Sequence, residues 1–371
     1  MRRLISFTLF TVLIVCASIT FAFADSNSMT DRIEAETGAD VLWISLPEEV
    51  RELLESIGVE TLDSSSLSDI DTAKFISALI PSVKRSVAHP LKQGCALLCA
   101  VLICGLCADI TYNSSSLNKI AAAVCGAMLL PFMGGVLQRM TAVIGTASGF
   151  MKAYVPVCAG LAAASGAPAS AAIYSAFQLG VCSVMETLAS EIIIPVTGML
   201  TALCALVSIE DTPATSVTDI LLKTLKWGLG GVSVAAGAIF SLQTSLAAAS
   251  DSFALRGAKF ALSGLIPVVG GTLSDAMGTV VSASGVIRSS VGILGVVAIV
   301  ILLLPTLAEL LIWQTVCKIL SFFSSCCNAA NLEKFFSRFT GAVGILTAVT
   351  ALTGALFVFA TAVLLKTGGQ I

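Results

Sequence analysis

This 371-residue chain has very few polar and ionisable side chains. Charged residues make up 12% of it and histidine occurs once, as His89, whereas 56% of the residues are hydrophobic. The mean hydropathy is +0.97. This composition excludes a soluble globular domain, because too few polar residues are available to cover its surface. The single histidine also argues against a metal site built on imidazole ligands.

The chain lacks the motifs that mark common catalytic centres. It contains no HExxH, no Walker A loop and no G-x-S-x-G sequence. An intramembrane aspartyl protease needs two buried aspartates that share a proton. Asp109, Asp251 and Asp275 lie at the edges of hydrophobic runs or in an interrupted segment, where this arrangement is not expected. We therefore predict that the protein is not an enzyme and binds no cofactor.

Long hydrophobic runs dominate the sequence. A helix needs about 20 apolar residues to cross the roughly 30 Å hydrocarbon core of a membrane. We predict an all-α, polytopic membrane protein with about seven spans, near Gly94–Ala108, Ile120–Leu137, Tyr154–Met185, Ile192–Ile209, Trp227–Ala249, Val291–Trp313 and Gly341–Leu365. The first run is too short unless neighbours such as Leu91 join it. The third is too long for one straight crossing, and the Ser165–Pro168 stretch indicates either two short segments or a kink.

The N-terminal part of the chain predicts export. Residues 1–24 combine Arg2 and Arg3, an apolar core and a small-x-small site ending at Ala24, which is typical of a signal peptide; an uncleaved anchor is the alternative. Residues 25–90 form a predicted extracytoplasmic helical region that is acidic, and residues 91–371 form the transmembrane domain. Pro47 and the carboxylates that follow it predict a helix start, and a second helix is expected over Asp69–Val87.

The acidic balance of the extracytoplasmic region bears on its partners. Thirteen acidic and six basic residues occur between Asp25 and Gln93. Such a segment would repel phosphates, so we predict no nucleic-acid binding.

The sequence orients the transmembrane domain only weakly, because basic residues occur on almost every predicted loop. The Gln314–Thr340 loop is the best cytoplasmic candidate and would send the C-terminus outward.

All twelve cysteines lie in hydrophobic surroundings, and none falls between Asp25 and Gln93. A secreted disulfide module would show the opposite distribution. Cys104 and Cys107 have metal-pair spacing, but Cys95 and Cys99 face the other side of the same predicted helix, so apolar packing is expected. Whether Cys326 and Cys327 are modified or packed stays open.

A broken segment near residues 263–282 interrupts the hydrophobic pattern. Pro267 removes a backbone donor, and Gly270 and Gly271 release the chain from helical geometry. Either a re-entrant element lining a polar path or a tightly packed helix-turn-helix would explain it. The ionisable candidates around it are Arg256 and Lys259, which share a helix face, and Asp275.

Two further features concern the spans themselves. Glu309 is the carboxylate expected to lie within a span, facing either the bundle interior or an interface; its position late in the span favours the interface. A seam of small residues at four-residue spacing predicts close helix packing, within the chain or with another subunit. Its members are Ser233, Gly237, Ser241 and Ser245.

The segment 259–276, KFALSGLIPVVGGTLSDA, resembles the signature of the stage III sporulation protein AE family. The resemblance extends from Asp251 to Pro305. It is specific, because charged, glycine and proline positions occur there in the family's order. Lys226-Trp227-Gly228 continues it upstream, and Val291 to Gly295 continues it downstream. Elsewhere the similarity is looser, especially in the N-terminal region.

This resemblance implies a membrane subunit of the channel-like or secretion-like complex that links mother cell and forespore and supports late forespore development. It also implies a location in the outer forespore membrane, on the mother-cell side. The implied partners are the other stage III sporulation A proteins and stage II sporulation protein Q. A self-contained secondary transporter of a small solute and a non-conducting membrane scaffold are the alternatives. Pro267, Gly270, Gly271 and Asp275 are the residues expected to shape a conduit.

Overall fold

The computed structural model describes residues 46–56, 72–110, 114–164, 168–207, 214–265 and 270–366; within these helices the side chains of 243–290 are among those left undescribed. Throughout the described ranges the secondary structure is helical and contains no strand. The predicted all-α class is therefore confirmed for this part of the chain. The predicted signal sequence at residues 1–24 lies outside the described residues.

Eight α-helices and one π-helical segment make up the described chain. They are α1 (Glu48–Ser56), α2 (Thr72–Ile110), α3 (Ser114–Ala164), α4 (Pro168–Thr187), the π segment (Leu188–Ile193), α5 (Ile194–Val207), α6 (Ala214–Leu265), α7 (Gly270–Cys326) and α8 (Ala330–Lys366). Several are far longer than a membrane is thick. The 57 residues of α7 span about 86 Å at 1.5 Å per residue.

Five stretches among the described residues are long and apolar enough to cross a membrane. They are Ser77–Cys104, Asn118–Ala163, Ala169–Val207, Val291–Cys326 and Ala330–Thr361. They confirm a multi-pass membrane protein; the total of about seven spans stays a prediction, because these five stretches come from the described residues alone. The predicted span Trp227–Ala249 lies in α6 and runs into side chains that are not described, so it stays a prediction.

The predicted boundaries between spans need correction. The predicted spans Ile120–Leu137 and Tyr154–Met185 leave Arg139 and Lys152 on a loop between them, but both lie within the continuous helix α3. The separate span predicted from Ile192 is also wrong, since the π segment joins α4 to α5 without a break. The predicted Gln314–Thr340 loop is helical except for Cys327–Ala329. In the sequence, isolated charges suggest a loop, whereas partners on neighbouring helices allow Arg139 and Lys152 to remain in a helix.

Helix α7 occupies the centre of the bundle. It packs against α2, α3 and α8, and its contact with α8 is the most extensive. The most apolar stretch of α7 is 78% buried and that of α8 is 83% buried, whereas that of α2 is only 22% buried. The α7–α8 hairpin turns tightly at Asn328, whose φ of 54° is left-handed, a conformation that asparagine tolerates better than most residues. A buried apolar core therefore exists within the membrane domain itself.

The acidic helix α1 begins where the sequence predicts. Glu48 and Glu49 fill its first turn, and the backbone N–H of Val50 donates to the carbonyl of Pro47 at 2.9 Å. Val50 and Leu54 are fully buried in a cluster that also contains Phe75 of α2 and Val291–Leu303 of α7. Helix α1, which lies in the predicted extracytoplasmic region, therefore packs against the membrane domain.

Candidate functional site

An ion pair between a buried carboxylate and a half-exposed guanidinium joins α3 to α7. The Arg139 guanidinium donates through Nη2 to Oε1 of Glu309, at 2.5 Å. The Glu309 side chain is 8% exposed, whereas that of Arg139 is 50% exposed. Of the two positions that the sequence left open for Glu309, the structure shows the one facing the bundle interior. A charged group in the middle of a span costs roughly 2.5–3.5 kcal/mol by insertion scales, so this pairing offsets a large penalty.

Aromatic side chains pack next to this ion pair. The rings of Phe132 and Trp313 lie 4.1 Å apart between centroids, and His89 of α2 stacks on Phe132 at 5.5 Å. Trp313 follows Glu309 by four residues and Phe132 precedes Arg139 by seven, so each lies on the same helix face as its partner. Because Trp313 is 1% exposed, this helix face of α7 is buried at both Glu309 and Trp313.

Some polar side chains elsewhere in the core form hydrogen bonds inside the bundle. Gln314 of α7 donates through Nε2 to Oγ1 of Thr347 on α8 at 2.6 Å. That hydroxyl in turn donates to the carbonyl of Val343. The buried Thr350 and Thr353 hydroxyls donate to carbonyls of the preceding turn. In an apolar environment such bonds replace water and fix the helices in register.

Two further ion pairs link helices nearer the surface. Lys152 of α3 donates to Glu186 of α4 at 2.6 Å, with side chains 44% and 33% exposed. Arg338 of α8 donates to Asp219 of α6 at 3.4 Å. Each pair joins two helices that the sequence gave no reason to place together. Exposed pairs of this kind stabilise by at most about 1 kcal/mol, so their main effect is on alignment.

Basic residues collect around the α7–α8 turn. Lys318 lies on the last part of α7, Lys334 and Arg338 lie on the first part of α8, and Lys226 of α6 approaches α8 beside Gly341. Lys223 lies one turn earlier on α6. The acidic helix α1 packs near Val291, about 35 residues away along α7. The bundle therefore has a basic end and, far from it, an acidic segment.

The residues singled out from the sequence have different outcomes. Pro267 lies outside the described residues. At Gly270 and Gly271 only the helical backbone is described, and the side chains of Ser245, Arg256, Lys259 and Asp275 are not described. The backbone around them shows α6 ending at Leu265 and α7 beginning at Gly270. Their roles stay predictions.

The visible part of the small-residue seam lies on the outer side of α6. Ser233 is half-buried and donates to the carbonyl of Leu229 at 2.9 Å, whereas Gly237 and Ser241 are exposed. A Cβ atom at Gly237 would have nothing within 4 Å. The described part of the seam therefore does not pack tightly inside this chain, and its role with another subunit stays a prediction.

Sequence reasoning did not identify Arg139 and Lys152 as site residues. A detectable signal existed, because each is an isolated cation within the apolar stretch Asn118–Ala163. Ionisable residues inside membrane spans face the bundle interior and pair with one another. What the sequence could not show was which carboxylate each would meet. These ion pairs can hold neighbouring helices together electrostatically. Among the described residues no group of three or more metal-ligating side chains occurs.

These features define a polytopic α-helical membrane protein whose long helices are joined by ion pairs across their interfaces. The sequence profile of one family, stage III sporulation protein AE, matches residues 59–368. The chain belongs to that family and is a membrane protein of stage III sporulation; the family is not a known enzyme family. Comparisons with curated proteins and with solved structures gave no significant match.

Proposed function

We propose that this protein is a membrane subunit of the channel-like or secretion-like complex that links mother cell and forespore. In this role it acts in the outer forespore membrane, on the mother-cell side, and is needed for late forespore development. Its partners are the other stage III sporulation A proteins and stage II sporulation protein Q. The observation that carries the proposal is family membership over residues 59–368, together with five helices able to cross a membrane.

The distribution of charge supports a definite orientation for such a subunit. Cytoplasmic ends of membrane helices carry an excess of lysine and arginine, and the α7–α8 turn is surrounded by Lys318, Lys334 and Arg338. We place this end in the mother-cell cytoplasm. The acidic helix α1 then lies toward the space between the two membranes, where Glu48, Glu49 and Glu52 are exposed to partners.

The conduit role rests on the broken segment. An irregular element at Pro267, just before Gly270 and Gly271 at the start of α7, would line a polar path, with Asp275 contributing charge. Replacing Gly270 and Gly271 by leucine should abolish this shape and reduce spore formation. Unchanged sporulation, with normal protein levels on an immunoblot, would exclude this role for the two glycines.

A non-conducting scaffold is the second candidate function. It is favoured by the described bundle, where Glu309 is neutralised by Arg139 and the cavity between α4, α6 and α8 is lined by apolar side chains. Deletion of residues 25–71 distinguishes a scaffold from a conduit. A scaffold should lose activity on this deletion while tolerating changes at Gly270 and Gly271, whereas a conduit should be sensitive to the glycine changes.

The experiment that tests the proposal is affinity purification of the detergent-solubilised protein from sporulating cells of its native host, followed by mass spectrometry. Recovery of the other stage III sporulation A proteins would support the complex. Recovery of a homo-oligomer with no sporulation partner would contradict it and favour the secondary transporter. The unrelated membrane proteins recovered with an equally tagged control protein set the background.

A further inference from the structure

An apolar groove of about 460 Å³ lies between α4, α6 and α8. Its lining includes Phe177, Gly180 and Val184 on α4, and Ala235, Ala236 and Ile239 on α6. Leu356 of α8 contributes to the same lining. The side chain of Val184 is 58% exposed and that of Phe177 is 41% exposed. The groove therefore opens on the outside of the bundle and carries no hydrogen-bonding side chain.

Small residues allow a helix backbone to approach this groove. Ala176 and Gly180 are one turn apart on α4 and both exposed, and Ala235 is exposed on the opposite wall. A Cβ atom at Gly180 would have nothing within 4 Å. In membranes, helices associate where small residues permit close van der Waals packing. The shape of the groove therefore suits a helix.

A carboxylate lies close to one end of the groove. Leu188 is the last groove residue on this side, and Glu191 follows three residues later within the π-helical segment Leu188–Ile193. Glu191 is exposed and forms no ion pair or hydrogen bond with any residue that the structure describes. The nearby Glu186 is paired with Lys152. π-helical turns occur frequently at functional sites, and an unpaired carboxylate in the apolar stretch Ala169–Val207 is costly.

We propose that the groove and Glu191 together bind a transmembrane helix of a partner protein that carries a lysine or arginine side chain. This inference rests on the proposed function and names the surface by which the subunit holds a partner of the complex. The apolar part of that helix fills the groove, and its cation pairs with Glu191. Charge complementarity selects this occupant: a lipid acyl chain would fill the groove and leave Glu191 unpaired.

A second copy of this chain fits less well. A two-fold interface brings the same patch of both subunits together. It would set the two Glu191 carboxylates near each other in a medium of low dielectric constant, where like charges repel strongly.

The test uses the full-length protein in sporulating cells, with a photo-crosslinking amino acid at Val184 and, as control, at Met199 of α5, which is also exposed. We expect a protein adduct from Val184 only, and mass spectrometry should locate it on an apolar helix that contains lysine or arginine. Glu191→Gln should reduce this adduct at least threefold, and Glu191→Lys at least tenfold. Reversing the charge of the identified cation should restore it in the Glu191→Lys background.

A matched pair of glycine variants tests the groove itself. Gly180→Leu fills it, whereas Gly160→Leu adds the same side chain at an exposed site of α3 with nothing within 4 Å. Recovery of the partner should fall at least tenfold in the first variant and stay unchanged in the second. Equal recovery in both, adducts with lipid alone, or adducts with a second copy of this chain would overturn the inference. Failure of the unaltered protein to recover any sporulation partner would instead overturn the proposed function.

Discussion

The Arg139–Glu309 pair should respond unequally to loss of its two partners. Replacing Arg139 by methionine leaves a carboxylate whose side chain is 8% exposed without a counter-charge. Replacing Glu309 by methionine leaves a guanidinium that is 50% exposed and able to reach solvent or lipid headgroups. Although both changes break the same contact, Arg139→Met should therefore be the more destabilising one.

The magnitudes follow from burial. Breaking a fully buried pair by removing one partner costs about 3–5 kcal/mol. Because Arg139 is half-exposed, we expect Arg139→Met to lower the free energy of unfolding by about 2–3 kcal/mol. Glu309→Met should lower it by less than about 1 kcal/mol, since the released cation becomes solvated. The double variant should return to within about 1 kcal/mol of the unaltered protein, because well-packed apolar residues replace buried pairs at little cost.

The assay is unfolding of the purified protein in mixed micelles with increasing dodecyl sulfate, followed by tryptophan fluorescence. All variants are made in a Trp43→Phe, Trp227→Phe background, so that the signal comes from Trp313, which lies four residues from Glu309 and is 1% exposed. Lys152→Met and Glu186→Met provide the control, because both side chains of that pair are partly exposed and their losses should be small and similar. A Glu309 variant as unstable as the Arg139 variant, with no recovery in the double variant, would refute the reasoning.

Three other predictions concern the rest of the bundle. The asymmetry should reverse at the surface pair, where Arg338 is 17% exposed and Asp219 is 53% exposed: Asp219→Asn should cost more than Arg338→Met in the same unfolding assay, although by less than about 1 kcal/mol. Gly295→Ala should destabilise by about 1–3 kcal/mol, because the added Cβ overlaps the buried ring of Tyr154, whose hydroxyl donates to a backbone carbonyl. A variant with Cys326 as its sole cysteine should react with a membrane-impermeant maleimide in inverted vesicles, because this exposed thiol lies at the basic end of the bundle, which we propose to be cytoplasmic.

Each of these tests has a contrasting result. Equal losses of unfolding free energy in Asp219→Asn and Arg338→Met would show that side-chain burial does not determine the cost of breaking the surface pair. Gly160→Ala is the control for Gly295, since nothing lies within 4 Å of its added atom; similar losses at both glycines would point to helix propensity in place of overlap. Labelling of Cys326 in right-side-out vesicles and not in inverted ones would reverse the proposed orientation.

Much of the local structure could be predicted from the sequence. The apolar runs predict helices that cross a membrane, because no other local structure satisfies the backbone in lipid over such lengths. The start of α1 at Glu48 follows from Pro47 and the carboxylates after it. The family could also be recognised from the order of charged, glycine and proline residues between Asp251 and Pro305.

The ends of the spans could not be predicted in the same way. Arg139 and Lys152 resemble loop residues when only their own chain neighbours are considered, but each lies within α3 opposite a carboxylate of another helix. The cost of keeping a charge in a helix inside the membrane depends on that partner. The partner is distant in sequence, at Glu309 in one case and Glu186 in the other.

The sequence by itself determined the class of this protein, its helical content and its family, because these depend on composition and on local order along the chain. Only the tertiary structure decided which helices meet, which ionisable groups are neutralised and where a groove remains open. These properties arise from the packing of helices that are far apart in sequence, and no local pattern specifies it. Glu191 illustrates the difference: the sequence shows a carboxylate between two apolar stretches, and the fold places it in a π-helical turn next to an apolar groove.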